Sequence, residues 1–97
     1  MSDQQASSEA NRITLRYWAS LRAAAGVDTD DLAVDGATAL AELTSRARSL
    51  HDSRKFADVL STCSVLVDDR PATSHDPSAV EVHPGQTVEF LPPFAGG

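Results

Sequence analysis

One helical stripe lies between two alternating ones, and that arrangement leaves this chain few ways to fold. Within residues 39–50, Leu40, Leu43, Ala47 and Leu50 recur at intervals of three and four. That spacing gathers apolar side chains on one face of a helix. Near the start Ile13, Leu15 and Tyr17 alternate with polar neighbours, and near the end Val88 and Phe90 do the same. A period of two is that of a strand with one buried face. A single amphipathic helix laid across a mixed sheet is the economical way to bury all three stripes.

Taken in order, residues 1–10 are rich in Ser, Gln and charge, without periodicity, and read as a disordered leader. Residues 13–18 form a first strand, with Thr14, Arg16 and Trp18 on the face opposite Ile13, Leu15 and Tyr17. Residues 19–25 make a short helix stopped by Gly26. Residues 28–35, alternating about Leu32 and Val34, make a second strand whose acidic neighbours suit a sheet edge. Gly36 turns the chain, and Thr38 is the expected N-cap of the main helix. There Glu42, Arg46 and Arg48 face water, with Glu42 four residues before Arg46 as a helical ion pair. The pattern breaks over 51–54 and allows one more helical turn over 55–60. A third strand, 62–67, places Cys63, Val65 and Val67 on one face. Asp68-Asp69-Arg70-Pro71 is a turn, and 72–81 is irregular with at most a short strand. His83-Pro84-Gly85-Gln86 is another turn, and 87–91 is the last strand. The two apolar ends of the chain should lie side by side in the sheet. The expected fold is therefore α+β: a β-grasp, as in ubiquitin, with one main helix and a short extra helix after the first strand. It occupies residues 11–91, and residues 92–97 form an extended tail.

Composition narrows the partners. Eight Lys plus Arg stand against fourteen Asp plus Glu, a net charge of −6, which argues against nucleic acid because phosphate contacts need a basic face. No apolar run reaches membrane-spanning length, and the first ten residues lack a signal peptide's apolar stretch. The expected location is the cytoplasm. A single cysteine, Cys63, precludes an internal disulfide and fits a reducing compartment. Cys63 is expected inside, as a small hydrophobe rather than a sulfur donor. His51, His75 and His83 lack metal-ligand spacing and read as surface histidines, so no metal site is expected.

The final stretch, Leu91-Pro92-Pro93-Phe94-Ala95-Gly96-Gly97, has a different character. Each proline fixes its own φ and offers no N–H, so the pair ends sheet pairing and acts as a stiff spacer. Gly96 and Gly97 have no Cβ and form the slenderest peptide available. Strand, spacer and thin carboxylate tip together suit delivery of the Gly97 carboxylate into a narrow channel.

The segment running from Ile13 to Arg22 (ITLRYWASLR), followed by three alanines and Gly26, resembles the opening of the molybdopterin synthase small subunit. The ending from Gly85 to Gly97 (GQTVEFLPPFAGG) is similar to that family's ending and more specific. Three features depart from the family pattern: Gln86 where an acidic residue is frequent, Asp68-Asp69 where Asn is common, and the segment 72–83. The resemblance implies a sulfur-carrier protein of the ubiquitin-like class. The chain carries no glycine-rich phosphate loop and no nucleophile with an evident base, so activation of Gly97 falls to another protein. That partner would be a ubiquitin-activating-like adenylyltransferase and sulfurtransferase using ATP, with no cofactor bound by this chain itself. Sulfur would then displace AMP to leave a Gly97 thiocarboxylate. The large subunit of molybdopterin synthase, holding the catalytic residues, would take that sulfur for the dithiolene of molybdopterin. Gly96 is required with Gly97 because a Cβ would meet the channel wall.

Both partners need a surface to recognise. Trp18 and Leu91 fall on the sheet face away from the helix, with Pro71 nearby, and form an apolar patch on an acidic domain. Phe94 is expected to fill a partner pocket, and Arg22 to remain solvated. Two further functions share these residues. One is a sulfur carrier for thiamine or cysteine biosynthesis; the other is a ubiquitin-like modifier or interaction module.

Overall fold

The computed structural model describes residues 11–72 and 76–93. The elements are β1 (Arg12–Tyr17), α1 (Ala19–Ala25), β2 (Thr29–Ala33), β3 (Thr38–Ala39), α2 (Leu40–Leu50), α3 (Arg54–Leu60), β4 (Ser64–Val67) and β5 (Arg70–Pro71). A 3₁₀ turn (Pro77–Ala79), β6 (Glu81–Val82) and β7 (Thr87–Leu91) follow. Five strands join in the order β2-β1-β7-β4-β5, and β3 pairs with β6 apart from them. The ends of the chain do meet: β1 and β7 run parallel, with Leu15 opposite Val88 and Tyr17 opposite Phe90. The other pairings are antiparallel. This is the expected mixed-sheet, ubiquitin-like α+β architecture.

Alternation decides the two faces. Ile13, Leu15, Tyr17, Leu32, Val88 and Phe90 are buried with Leu21, Leu40, Leu43, Ala47, Phe56, Leu60 and Val82 in one core. Arg16, Glu89, Leu66 and Pro71 are successive register partners across four strands, a single outward-facing rung. A shift of one residue in β1 or β7 would exchange the faces.

Several local expectations change. α1 ends as foreseen, with Gly26 at φ +80° and its N–H donating to the Arg22 carbonyl. Thr38, however, is not the cap of α2. It sits in β3 opposite Val82, and its hydroxyl donates to the Gly36 carbonyl. Ala39 holds the cap position without a side-chain bond, while the Leu40 N–H donates to the Val80 carbonyl at 2.9 Å. A backbone acceptor from a distant segment thus replaces the side-chain cap. Leu50 is not on the core stripe either, being 54% exposed. The stripe runs Leu43, Ala47, then His51, because a step of four brings the next side chain back to the same face. Arg46 donates to the Ala33 carbonyl at 2.9 Å rather than pairing with Glu42, so it covers an acceptor on the edge strand β2.

The extra turn after α2 is a full helix. Ser53 caps it by accepting the Phe56 N–H, and Phe56 is completely buried. The segment 72–81 also does more than expected, since Val82 enters the core and β6 secures β3. Asp68 and Asp69 both take positive φ, 50° and 70°, as a two-residue hairpin of the primed type requires. They join β4 to β5, so Pro71 lies in a short edge strand rather than a turn. An edge accommodates proline because no partner needs its missing N–H. Asp68 also accepts the Thr87 N–H at 2.9 Å, which ties the hairpin to β7. The leader, 1–10, lies outside the described residues. Among the described residues, no helix is long and apolar enough to cross a membrane.

Candidate functional site

β1 ends at Tyr17 opposite Phe90, so the next residues of each strand, Trp18 and Leu91, emerge together on the outward face. With Ala19, Ser64, Leu66, Pro92 and Pro93 they line a groove of about 570 Å³. Both prolines form its wall, which places the groove at the root of the tail. Of the site residues expected from sequence, Trp18 and Leu91 are brought together here. Pro71 faces the same way, directly opposite Leu66, but stands on the sheet edge and does not line the groove. Phe94, Gly96 and Gly97 lie outside the described residues.

Trp18 is 38% exposed and firmly placed. Its indole N–H donates to Glu89 at 3.3 Å. The Arg16 guanidinium lies 3.9 Å from the same carboxylate and 5.4 Å from the centre of the indole ring. The groove therefore has an apolar floor and a rim of one balanced ion pair, with a cation over the aromatic face. Ala19 follows with φ +50°, a left-handed conformation that costs a non-glycine residue roughly 1–3 kcal/mol. The strained residue turns the chain from β1 into α1 immediately beside the groove.

Leu66, Ser64 and Ala19 were not singled out from sequence. For Leu66 the signal was present, since placing Val65 and Val67 inward leaves Leu66 on the face of Leu91. A second groove, about 330 Å³, lies on the other side of the same two prolines, lined by Ser20, Lys55, Asp58, Val59 and Thr62. A hollow of about 450 Å³ between the 33–39 loop and the start of α2 shares no residue with either groove.

His51 is not an ordinary surface histidine. Its ring is half-buried and its Nε2 lies 2.5 Å from Asp30, whose same oxygen accepts the Tyr17 hydroxyl at 2.8 Å. The ring also packs against Tyr17 and Phe56. Burial, then the bond to Asp30 and its charge, drive the Tyr17 phenol well above its ordinary pKa. These three residues tie β1, β2 and the end of α2 together. Cys63 is part-buried and bonded to the Val59 carbonyl; burial pushes its thiol up to about 11. A thiol so strongly protonated is a poor nucleophile. His83 is exposed, its N–H held by the Gln86 side-chain oxygen at 2.7 Å; His75 is outside the described residues. Among the described residues, no group of three or more His, Cys, Asp and Glu is placed to hold a metal ion. Arg22 lies 3.8 Å from Asp28 with both side chains more than half exposed, a pair of little energetic weight.

Comparison with curated proteins finds no match. Among solved structures, SAMP1 from Haloferax volcanii superposes with a TM-score of 0.73 at 19% identity, covering 89% of this chain and 99% of that one. The HVO 2177 protein of the same organism gives 0.71 at 24% identity, over 89% and 86%. The complex of subunits 1 and 2 of molybdopterin-converting factor from Helicobacter pylori contains a chain matching at 0.60 and 17% identity, over 89% and 99%. At such identities the likeness is one of fold. The ThiS family matches residues 15–97, the sheet, the helices and the tail together. By that match, the chain belongs to the ThiS family.

Proposed function

We propose that this protein is the sulfur-donating small subunit of a molybdopterin synthase. The observation that carries the reading is the apolar groove of Trp18, Leu66 and Leu91 at the root of Pro92 and Pro93. A partner that seats on the groove holds the stem of the tail, and the stiff prolines then direct Gly96 and Gly97 onward. The Gly97 carboxylate is unreactive until activated, and the activating partner uses ATP to join it to AMP. A sulfur donor displaces AMP, and the resulting thiocarboxylate is the nucleophile delivered to the large subunit. This chain contributes recognition, reach and the acyl group; catalytic residues belong to its partners. The pairing of two subunits in the Helicobacter pylori complex supports a large-subunit partner here.

The test is mass spectrometry after incubation with an activating enzyme, ATP and a sulfur source. The chain should exchange one oxygen for one sulfur, mapped to Gly97. The likeness to SAMP1, elsewhere named small archaeal modifier protein 1, favours a second reading as a protein modifier. Isopeptide conjugates to other proteins, with no thiocarboxylate, would decide for that reading and against the first.

A further inference from the structure

We propose that the free edge of β2 binds an extended basic segment of a partner protein, which joins the sheet as an added strand. The segment sets apolar side chains against Leu32 and Leu50 and basic ones beside Asp31. This surface shares no residue with the groove at the root of the tail, and the proposal does not depend on the sulfur-carrier reading.

The ladder between β1 and β2 fixes which main-chain groups are free. The Tyr17 N–H donates to the Asp28 carbonyl and the Val34 N–H to the Asn11 carbonyl, both at 2.8 Å. Antiparallel partners exchange such bonds at every second residue, so residues 28, 30, 32 and 34 turn their main-chain groups towards β1. Thr29, Asp31 and Ala33 turn theirs outward, and β2 is the last strand on its side of the sheet. Arg46 reaches the Ala33 carbonyl at 2.9 Å. Among the described residues, no hydrogen bond meets the N–H groups of Asp31 and Ala33 or the Asp31 carbonyl. The opposite edge, β5, is only two residues long and carries Pro71, so it offers far less to pair with.

The two faces of this edge differ. On the helix side, Leu32 joins Ser45, Arg46, Ser49 and Leu50 around a hollow of about 260 Å³, and Leu50 is 54% exposed. An added strand directs every second side chain to that side, where an apolar group covers both leucines. The alternate side chains stand on the other face, beside Asp31. The segment 28–35 contains four Asp and no Lys or Arg. Asp30 is taken by His51 and Tyr17, while Asp28, Asp31 and Asp35 are exposed. Arg12 comes no closer than 4.0 Å to Asp31, with both side chains about half exposed, a weak pair that leaves the carboxylate open to a second cation.

The same charges select the occupant. Pairing with β2 of a second copy, centred on Asp31, would oppose like charges across the ladder, which is destabilising. A basic strand meets attraction instead, which favours both its encounter and its discrimination from acidic competitors. The outward groups of Thr29, Asp31 and Ala33 are already extended and aligned, so main-chain bonds form on a prepared template. The groove at the root of the tail lies beyond β1, at Leu66 and Leu91, and stays open while β2 is occupied.

The test titrates the isotope-labelled full chain with a capped pentapeptide of alternating Lys and Val, followed by amide chemical shifts. Saturable shifts confined to β2 and the end of α2 are expected, with magnetisation transfer from peptide Val methyls to Leu50. Ala33→Pro removes an outward N–H that β1 does not use, and should weaken binding at least about fivefold. Leu50→Gln changes only an exposed side chain and should weaken it about threefold or more. Several results would overturn the proposal: no saturation, equal binding of a peptide with Glu for Lys or of one with the same residues in two blocks, or shifts centred on the groove of Trp18 and Leu91. Undiminished binding in Leu50→Gln or in folded Ala33→Pro would do the same. Self-association of the free chain, abolished by Ala33→Pro, would assign the edge to a second copy and also overturn it.

Discussion

The indole N–H of Trp18 donates to the Glu89 carboxylate at 3.3 Å, joining residues 71 apart in sequence. Parallel pairing of β1 and β7 makes this possible, since it sets Arg16 opposite Glu89 with Trp18 two residues further on the same face. The bond, with the Arg16 guanidinium beside both groups, fixes an exposed aromatic in one orientation. A recognition residue held in place in advance loses less freedom on binding.

If the proposed function holds, Trp18→Ala and Leu91→Ala should weaken association with a large-subunit partner far more than they weaken the fold. Truncating anchors of this kind costs at least ~2 kcal/mol, roughly thirtyfold in affinity. Binding by calorimetry and melting are measured on the same variant. Early melting with normal binding by the folded fraction would make these residues structural.

Ala19→Gly should leave stability unchanged or raise it, by up to ~1 kcal/mol. Relief of the positive φ at Ala19 works against the greater freedom glycine has when unfolded. A clear loss in chemical denaturation would mean that the alanine methyl group contributes packing that outweighs the strain.

Asp30→Ala should destabilise more than Tyr17→Phe. The first leaves a buried tyrosine hydroxyl unpartnered, at about 1–3 kcal/mol, and also releases His51. The second removes the donor while Asp30 keeps His51, and a net cost of ~1 kcal/mol is expected. Equal losses in urea melts would count against a shared network.

Stability should fall as pH rises through the alkaline range. Cys63 ordinarily titrates near 9.0 but is held up at about 11 in the folded chain. Between those values the unfolded chain binds fewer protons than the folded one, so each step up in pH favours unfolding. The Tyr17 phenol, raised above its ordinary 10.0, acts with the same sign further up. The contribution is complete below pH 9 and diminishes above it. Denaturant melts stepped upward from neutral pH check this; Cys63→Ala should flatten the lower part of the decline and Tyr17→Phe the upper part.

Phe56→Ala should cost about 3–5 kcal/mol, as expected for deleting a fully buried aromatic. Leu50→Gln, on the exposed side of α2, should stay within about 0.5 kcal/mol. Thermal melts of the pair would show which residue belongs to the core, and the opposite ranking would restore the stripe read from sequence.

Alternation alone marks out the strands with one wet face, the pairing of the first and last strands in one sheet, and the outward placement of Trp18 and Leu91. Each follows from a period set by local backbone geometry, which alternation reports directly. Gly26 as a helix stop was equally legible, because a left-handed terminus selects for glycine. Other features were settled by distant neighbours. Thr38 had the chemistry of a cap, but pairing with Val82 drew it into a strand while the Val80 carbonyl took the helical N–H. Leu50 fitted the helical stripe, yet α2 ends there and His51 fills the inward position because Tyr17, Asp30 and Phe56 surround it. Arg46 had a partner four residues away and bonded instead to the edge of β2. The groove was half legible: two of its residues stand at strand ends, but Leu66 and Ser64 arrive from β4, whose register against β7 no local pattern encodes. Periodicity records what each segment does with its own neighbours; partners, caps and grooves depend on which segments meet.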